Sequence, residues 1–305
     1  MSTLPMTAIS SNKLRGTLRQ DEPMARHTSW RAGGPAKVFY QPADIDDLVV
    51  LLRTLPANEP LYWVGLGSNL LVRDGGLNGT VIAISSGLSR LDFLADHQVR
   101  VEAGVASPKL ARETAKHGLT GMEFLCGIPG TVGGALALNA GALGSEMWQR
   151  VVAVETINRQ GQIQRRTPAE YQISYRHVTG PAGEWFVAAT LQLELGESSA
   201  SLEMIKAYLA RRAATQPTQL PNAGSVFRNP PGDYAARLIE SCGLKNTCIG
   251  GACVSEKHAN FIINTGTATA GDIEALIERV RDTVKREHGI ALIREVHIVG
   301  EAESD

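Results

Sequence analysis

At 305 residues the chain has room for about two domains, and 43% hydrophobic with 20% charged residues excludes a chain dominated by disorder. Thirty Lys and Arg stand against 31 Asp and Glu, so a net charge of −1 leaves no electrostatic footprint for nucleic acid, though a locally basic pocket is compatible with it. The longest aliphatic run, near Leu48–Leu52, falls far short of the ~20 residues of a membrane-spanning helix.

Residues 1–22 read as a polar lead-in without the apolar stretch of a signal peptide, which implies a cytoplasmic protein. Residues 42–55 read as a helix: Ile45, Leu48, Val49, Leu52 and Leu55 share one face, and Asp44, Asp46 and Asp47 occupy the first turn. Strands are predicted at Leu61–Val64, Leu70–Val72 and Val81–Ile84, with a turn at Asp74–Gly76. Val99, Val101 and Ala103 alternate as a half-buried strand does. Ser107 as N-cap and Pro108 behind it open a helix that Gly118 closes. A loop is expected over Gly127–Gly144, where 18 residues hold six glycines. Val151–Ile157 and Gln162–Arg165 flank Asn158–Gly161 as a hairpin, and Trp185–Leu195 is a further strand. The small-residue stretch Gly196–Ser201 is the best domain boundary. Helices follow at 201–214, 233–242 and 271–288, the last closed by Gly289, and a final strand at Ala291–Val299. There is no internal repeat. Strands early and helices late define an α+β class.

Cys126, Cys242, Cys248 and Cys253 form no C-x-x-C pair and have no histidine at zinc-finger spacing, so they read as small buried hydrophobes in a reducing compartment, and no metal site is expected. The Gly65–Leu70 turn begins like a dinucleotide fingerprint, but Leu70 stands where the third glycine belongs and strand, not helix, follows. Gly127–Gly134 lacks the Gly-Lys-Ser/Thr of a P-loop. Two strand-flanking turns rich in Gly, Ser and Asn remain, whose backbone N–H groups suit an anion. The longer reads as a ligand cradle, because long glycine-rich loops are usually functional.

Seven segments then occur in one order: His27-Thr-Ser-Trp-Arg-Ala-Gly-Gly-Pro-Ala36, Gly67-Ser-Asn-Leu-Leu71, Gly127-Ile-Pro-Gly-Thr-Val-Gly-Gly-Ala135, Asn139-Ala-Gly-Ala142, Ser174-Tyr-Arg176, Ala223-Gly-Ser-Val-Phe-Arg-Asn-Pro230 and Val254-Ser-Glu-Lys-His-Ala-Asn-Phe261. Together, over about residues 23–300, they resemble the UDP-N-acetylenolpyruvoylglucosamine reductase family, flavoenzymes of peptidoglycan precursor synthesis. The short path from Arg176 to Trp185 resembles the branch without an inserted tyrosine-bearing loop. The resemblance implies an FAD-binding region of the p-cresol methylhydroxylase/vanillyl-alcohol oxidase type over 23–198, in two subdomains split near 95–100. It also implies a smaller α+β substrate domain over 199–305. Non-covalent FAD and NADPH are the implied cofactors and a UDP-sugar the small-molecule substrate, with no nucleic acid, membrane or obligate protein partner.

The same resemblance assigns residues to the chemistry. FAD falls to Gly65, Leu66, Gly67, Ser68, Asn69 and Leu70 in the first turn, and to Gly127, Ile128, Pro129, Gly130, Thr131, Gly133, Gly134, Asn139 and Gly141 in the second stretch. Arg176 faces the substrate carboxylate, Ser225 gives a proton to the carbanion-like carbon, and Glu295 stabilises the developing charge. Tyr175, Asn229, Gln216, Lys257 and His258 fall to the substrate. Without the resemblance, Ser225 is an ordinary turn serine, Arg176 a surface arginine and His258 a structural histidine. In Ala291–Val299, alternation puts Glu295 on one face with Ile293 and His297. A carboxyl on a largely apolar face is raised toward its neutral form by desolvation. A different flavin oxidase and a non-catalytic UDP-sugar or flavin binder are the alternatives. Ser225-Val-Phe-Arg-Asn-Pro230 speaks against the first, and the joint presence of Arg176, Ser225 and Glu295 against the second.

Overall fold

The computed structural model describes residues 14–303. The chain forms helices α1 (Ile45–Thr54), α2 (Ser107–Lys116), α3 (Val132–Ala137), α4 (Ser198–Thr215), α5 (Ala235–Ser241) and α6 (Ala270–His288). Two larger sheets precede most of the helical mass, as the α+β reading requires. The first has the order Thr17–Pro23, Pro35–Gln41, Leu77–Ala83, Leu61–Val64, antiparallel at its outer pair and parallel elsewhere. The second is antiparallel, in the order Ile163–Arg166, Val151–Asn158, Glu184–Gln192, Gln98–Glu102, Leu91–Phe93. The chain passes between these sheets from Ala83 to Leu91, ahead of the expected split at 95–100, because Leu91–Phe93 pairs with Gln98–Glu102. Among the described residues no helix is long and apolar enough to cross a membrane.

Helix α1 begins where expected because the Asp44 carboxylate accepts the Asp47 N–H. Its Leu48, Leu51 and Leu52 pack with Tyr40, Ile82, Ile157 and Val187, so one core joins α1 to both sheets. A second core gathers α2, α3 and the inner face of the second sheet, and reaches Ile205 of α4. Ser201 ties α4 to the buried Glu123 carboxylate by a hydrogen bond of 2.6 Å. The third core holds α5, α6 and the small sheet Cys248–Ile249, Ala252–Val254, Ile262–Asn264.

Several local expectations need correction. The Thr17–Pro23 part of the lead-in is an edge strand on Pro35–Gln41, since backbone pairing orders a polar segment as readily as an apolar one; residues 1–13 lie outside the described ones. Ala106 caps α2, so Ser107 and Pro108 are its first two helical residues. Gly127–Gly144 is not all loop: Thr131 caps α3, whose two glycines hid it. Gly133 is required there, since any Cβ would press on that of Ala103 in the neighbouring strand segment. The final strand is only His297–Val299, because the chain before it changes partners: the Glu295 N–H bonds the Val226 carbonyl, and the His297 N–H that of Asn69. Cys248 and Cys253 are bonded to each other, having been placed directly opposite across the Gly250–Gly251 turn. Cys126 and Cys242 are free.

The N-terminal region also enters the third core. Trp30 is fully buried there, its indole N–H donates to the Ile262 carbonyl at 2.7 Å, and Asn264 donates to the Trp30 carbonyl at 2.8 Å. Trp30→Ala therefore costs about 3–5 kcal/mol in urea denaturation; a loss below ~1 kcal/mol would show that Trp30 does not hold the two ends of the chain together.

Candidate active site

A cavity of about 600 Å³ opens where these cores meet. Its walls include Gly65–Leu70 from the first sheet, Gly127–Thr131 and Gly134 from the α3 region, Gly141, Arg176, Gln216, Ser225 and Glu295. Residues predicted for the site from the beginning, middle and end of the sequence are thus brought together. Gly67 takes φ +59° in its turn, and a Cβ there would meet the His27 carbonyl. Ser68 donates to the Pro129 carbonyl at 3.0 Å, which locks the two glycine turns to each other.

Arg176 sits in the two-residue turn between strands Gln172–Ser174 and His177–Thr179, in the left-handed region at φ +54°. Its Nη1 and Nη2 donate to the carbonyls of Asn139 and Gly141, and its Nε stands 3.3 Å from Glu295 Oε1. Ser225 follows Gly224, whose N–H is held by the Asn222 side chain. The Asn260 side chain bonds both the N–H and the carbonyl of Phe227, which fixes the Ser225 segment from behind. Glu295 is fixed by its own N–H on Val226 and by the Asn69 side chain on its carbonyl at 3.1 Å. Burial pushes the Glu295 carboxyl above the usual carboxylate range, against the opposing pull of Arg176 and Arg228.

Some predicted contacts lie elsewhere. Gly133 serves helix packing, as described, and Asn139 is 1% exposed behind the wall. Tyr175 is 48% exposed outside the lining, with the Arg176 guanidinium over its ring. Asn229 is turned away to accept the Ala235 N–H at the start of α5. Lys257 donates to the Ala213 carbonyl, and His258 packs edge-on against Phe261, its imidazole held toward neutrality by burial. Neither lines the cavity. Ile293 is 63% exposed and does not share the cavity face of Glu295 and His297, because the ladder is broken between them.

Sequence reasoning missed several lining residues, among them Arg212, His297, Ser107 and Trp63. Arg212 is desolvated, has no carboxylate partner among the described residues, and donates its Nε to Gln216, the residue that caps α4, at 2.9 Å; their four-residue spacing was the available signal. His297 faces open cavity space, yet the surrounding protein and Arg228 disfavour its charged form. Ser107 Oγ and Trp63 Nε1 are buried without a hydrogen-bond partner among the described residues. Nothing in the local sequence marks either.

These features suit FAD. Two locked glycine turns offer backbone donors without a carboxylate of their own, Ser107 and Trp63 hold unpaired polar atoms at the wall, and Arg212 supplies positive charge. The FAD-binding domain model matches residues 36–167, which places the protein in the class of FAD-binding proteins. The UDP-N-acetylenolpyruvoylglucosamine reductase C-terminal domain model matches residues 216–299. The chain is 61% identical over 289 residues to the UDP-N-acetylenolpyruvoylglucosamine reductase of Alkalilimnicola ehrlichii, covering 95% of this chain and 97% of that one. It is 56% identical over 303 residues to that of Legionella pneumophila, covering 99% and 98%. The crystal structure of the Thermus caldophilus reductase superposes with a TM-score of 0.80 at 32% identity, covering 93% of this chain and 99% of that one. The chain belongs to the UDP-N-acetylenolpyruvoylglucosamine reductase family.

The raised Glu295 carboxyl has a thermodynamic consequence. A group that binds its proton more tightly when folded contributes stability below its unfolded pKa, and that contribution is lost as pH rises through the folded pKa. The melting-temperature advantage of wild type over Glu295→Gln should therefore shrink as pH rises above the ordinary carboxylate range. An advantage that grows with pH would mean that the Arg176 ion pair outweighs burial.

Proposed function

We propose that this cavity reduces the enolpyruvyl group of UDP-N-acetylenolpyruvoylglucosamine to the lactyl ether of UDP-N-acetylmuramate. The observation that carries this reading is the convergence of Arg176, Ser225 and Glu295 on one cavity shared with both glycine turns. Residues 23–198 hold FAD and residues 199–305 close over the UDP-sugar, a division supported by the two domain models. Gly65–Leu70 and Gly127–Thr131 cradle FAD, which when bound supplies hydride transfer from NADPH to the methylene carbon of the substrate. Arg212 and Gln216 meet a phosphate-bearing ligand with charge and an amide.

Arg176 receives the substrate carboxylate. Three of its five N–H groups are already committed, so the fork is held in place before substrate arrives. As negative charge builds on the carbon beside that carboxylate, the fixed guanidinium stabilises it without reorganising. Glu295, whose carboxyl burial pushes upward, can when protonated donate a hydrogen bond to the same charge. Ser225 gives its hydroxyl proton to the carbon. A serine is a weak acid, and this transfer works only because the acceptor is strongly basic. Small molecules are the partners of this chemistry, and the cytoplasm is its setting.

The test is anaerobic absorbance on the flavin-loaded protein: bleaching by NADPH, then recovery of the oxidised band on adding the enolpyruvyl sugar. Bleaching without recovery would overturn the substrate assignment. Ser225→Ala should leave bleaching near the wild-type rate and slow recovery on the order of a hundredfold or more; unchanged recovery removes Ser225 as proton donor. Arg176→Lys should also slow recovery by roughly a hundredfold, because a point charge cannot reproduce the fork. Near-wild-type recovery in that variant would show that Arg176 is not the carboxylate clamp.

A further inference from the structure

We infer that Asn139 is a positioning residue for Arg176, acting on substrate binding from behind the cavity wall and without touching any ligand. Its side chain is 1% exposed and lies outside the cavity lining, and its polar atoms are committed to protein. Nδ2 donates to Glu146 Oε2 at 2.7 Å and to the Ser174 carbonyl at 3.2 Å, while Oδ1 accepts the Trp148 N–H at 3.2 Å.

Two of these bonds, to Ser174 and Glu146, lead to Arg176. Ser174 immediately precedes the turn that carries the arginine, in a hairpin whose first strand is wholly exposed and gains little from core packing. The Asn139 amide is thus an anchor for that hairpin. Glu146 pairs in register with Gly141, and the Gly141 carbonyl takes Arg176 Nη2. Asn139 itself adopts the left-handed backbone at φ +42°, which turns its own carbonyl toward Arg176 Nη1 at 3.3 Å. One amide therefore fixes both the base of the arginine and the two carbonyls that aim its fork. The remaining fixed partner, Glu295, comes from the other end of the chain.

This inference rests on Arg176 being the carboxylate clamp. Asn139→Gly tests it well, because glycine keeps the left-handed backbone and deletes only the amide. The readout is binding of UDP-N-acetylmuramate, which carries the product carboxylate, by titration calorimetry in a double-mutant cycle with Arg176→Ala. Asn139→Gly should weaken product binding about tenfold in the wild-type background and less than about twofold in the Arg176→Ala background. Substrate-driven recovery of the flavin band should slow alongside, with the rate of bleaching by NADPH changed less than about twofold. Equal losses in both backgrounds would mean a merely structural role and overturn the inference, as would full product binding by Asn139→Gly. If that variant does not fold, Glu146→Ala removes the acceptor of the same amide and carries the same cycle, with the same two outcomes. Failure of the wild type to bind the product, or to recover with the enolpyruvyl sugar, would instead overturn the functional reading and the inference with it.

Discussion

Strand Leu70–Val72 pairs in parallel with strand His297–Val299, and the rest of the site depends on that short ladder. The Asn69 side chain holds the Glu295 carbonyl and its backbone carbonyl accepts the His297 N–H, so the first glycine turn and the last acid share one hydrogen-bonded frame. From there Glu295 bonds back to Val226, beside Ser225, and reaches across to Arg176. Without this pairing the cavity would have a floor and no opposite wall. Burying Trp30 among α6 and the small sheet fastens the same junction from the other side.

The electrostatics follow from how that frame is enclosed. Glu295 is taken out of water and pushed toward its neutral form, with Arg176 and Arg228 opposing the push. His297 is driven the same way, toward the uncharged imidazole. Arg212 remains charged with no acid beside it, and the glycine turns contribute backbone donors in place of side chains. The cavity therefore favours neutral forms of its acid and its histidine while holding fixed positive charge. That balance suits a ligand bearing phosphates and a carboxylate, and a reaction that builds negative charge next to that carboxylate.

Much of this was legible in the sequence. Helix α1 announced itself through its first-turn acids and a clear apolar face, helix α6 through its closing Gly289, and the strand Leu61–Val64 through its composition. Motif order brought Arg176, Ser225 and Glu295 forward although nothing local distinguishes them. What stayed hidden was decided by tertiary contact. Helix α3 carries two glycines and forms because Gly133 lets it press against Ala103. The segment before His297 reads as regular strand, yet it divides its hydrogen bonds between two partners. Asn139 and Asn229 sit within motifs, and each turned out to bond backbone or neighbouring protein where a ligand contact was expected. Cys248 and Cys253 looked like isolated small residues because pairing depends on hairpin register.

The Leu70–Val72 ladder also bears on biogenesis. Its partner lies more than 220 residues downstream, since Asn69 and Glu295 are separated by 226 positions. During vectorial synthesis the first glycine turn leaves the ribosome long before the strand that completes it, and a loop of that length is slow to close. Strand Leu70–Val72 must wait unpartnered with its apolar residues uncovered, a species open to wrong pairing with other chains.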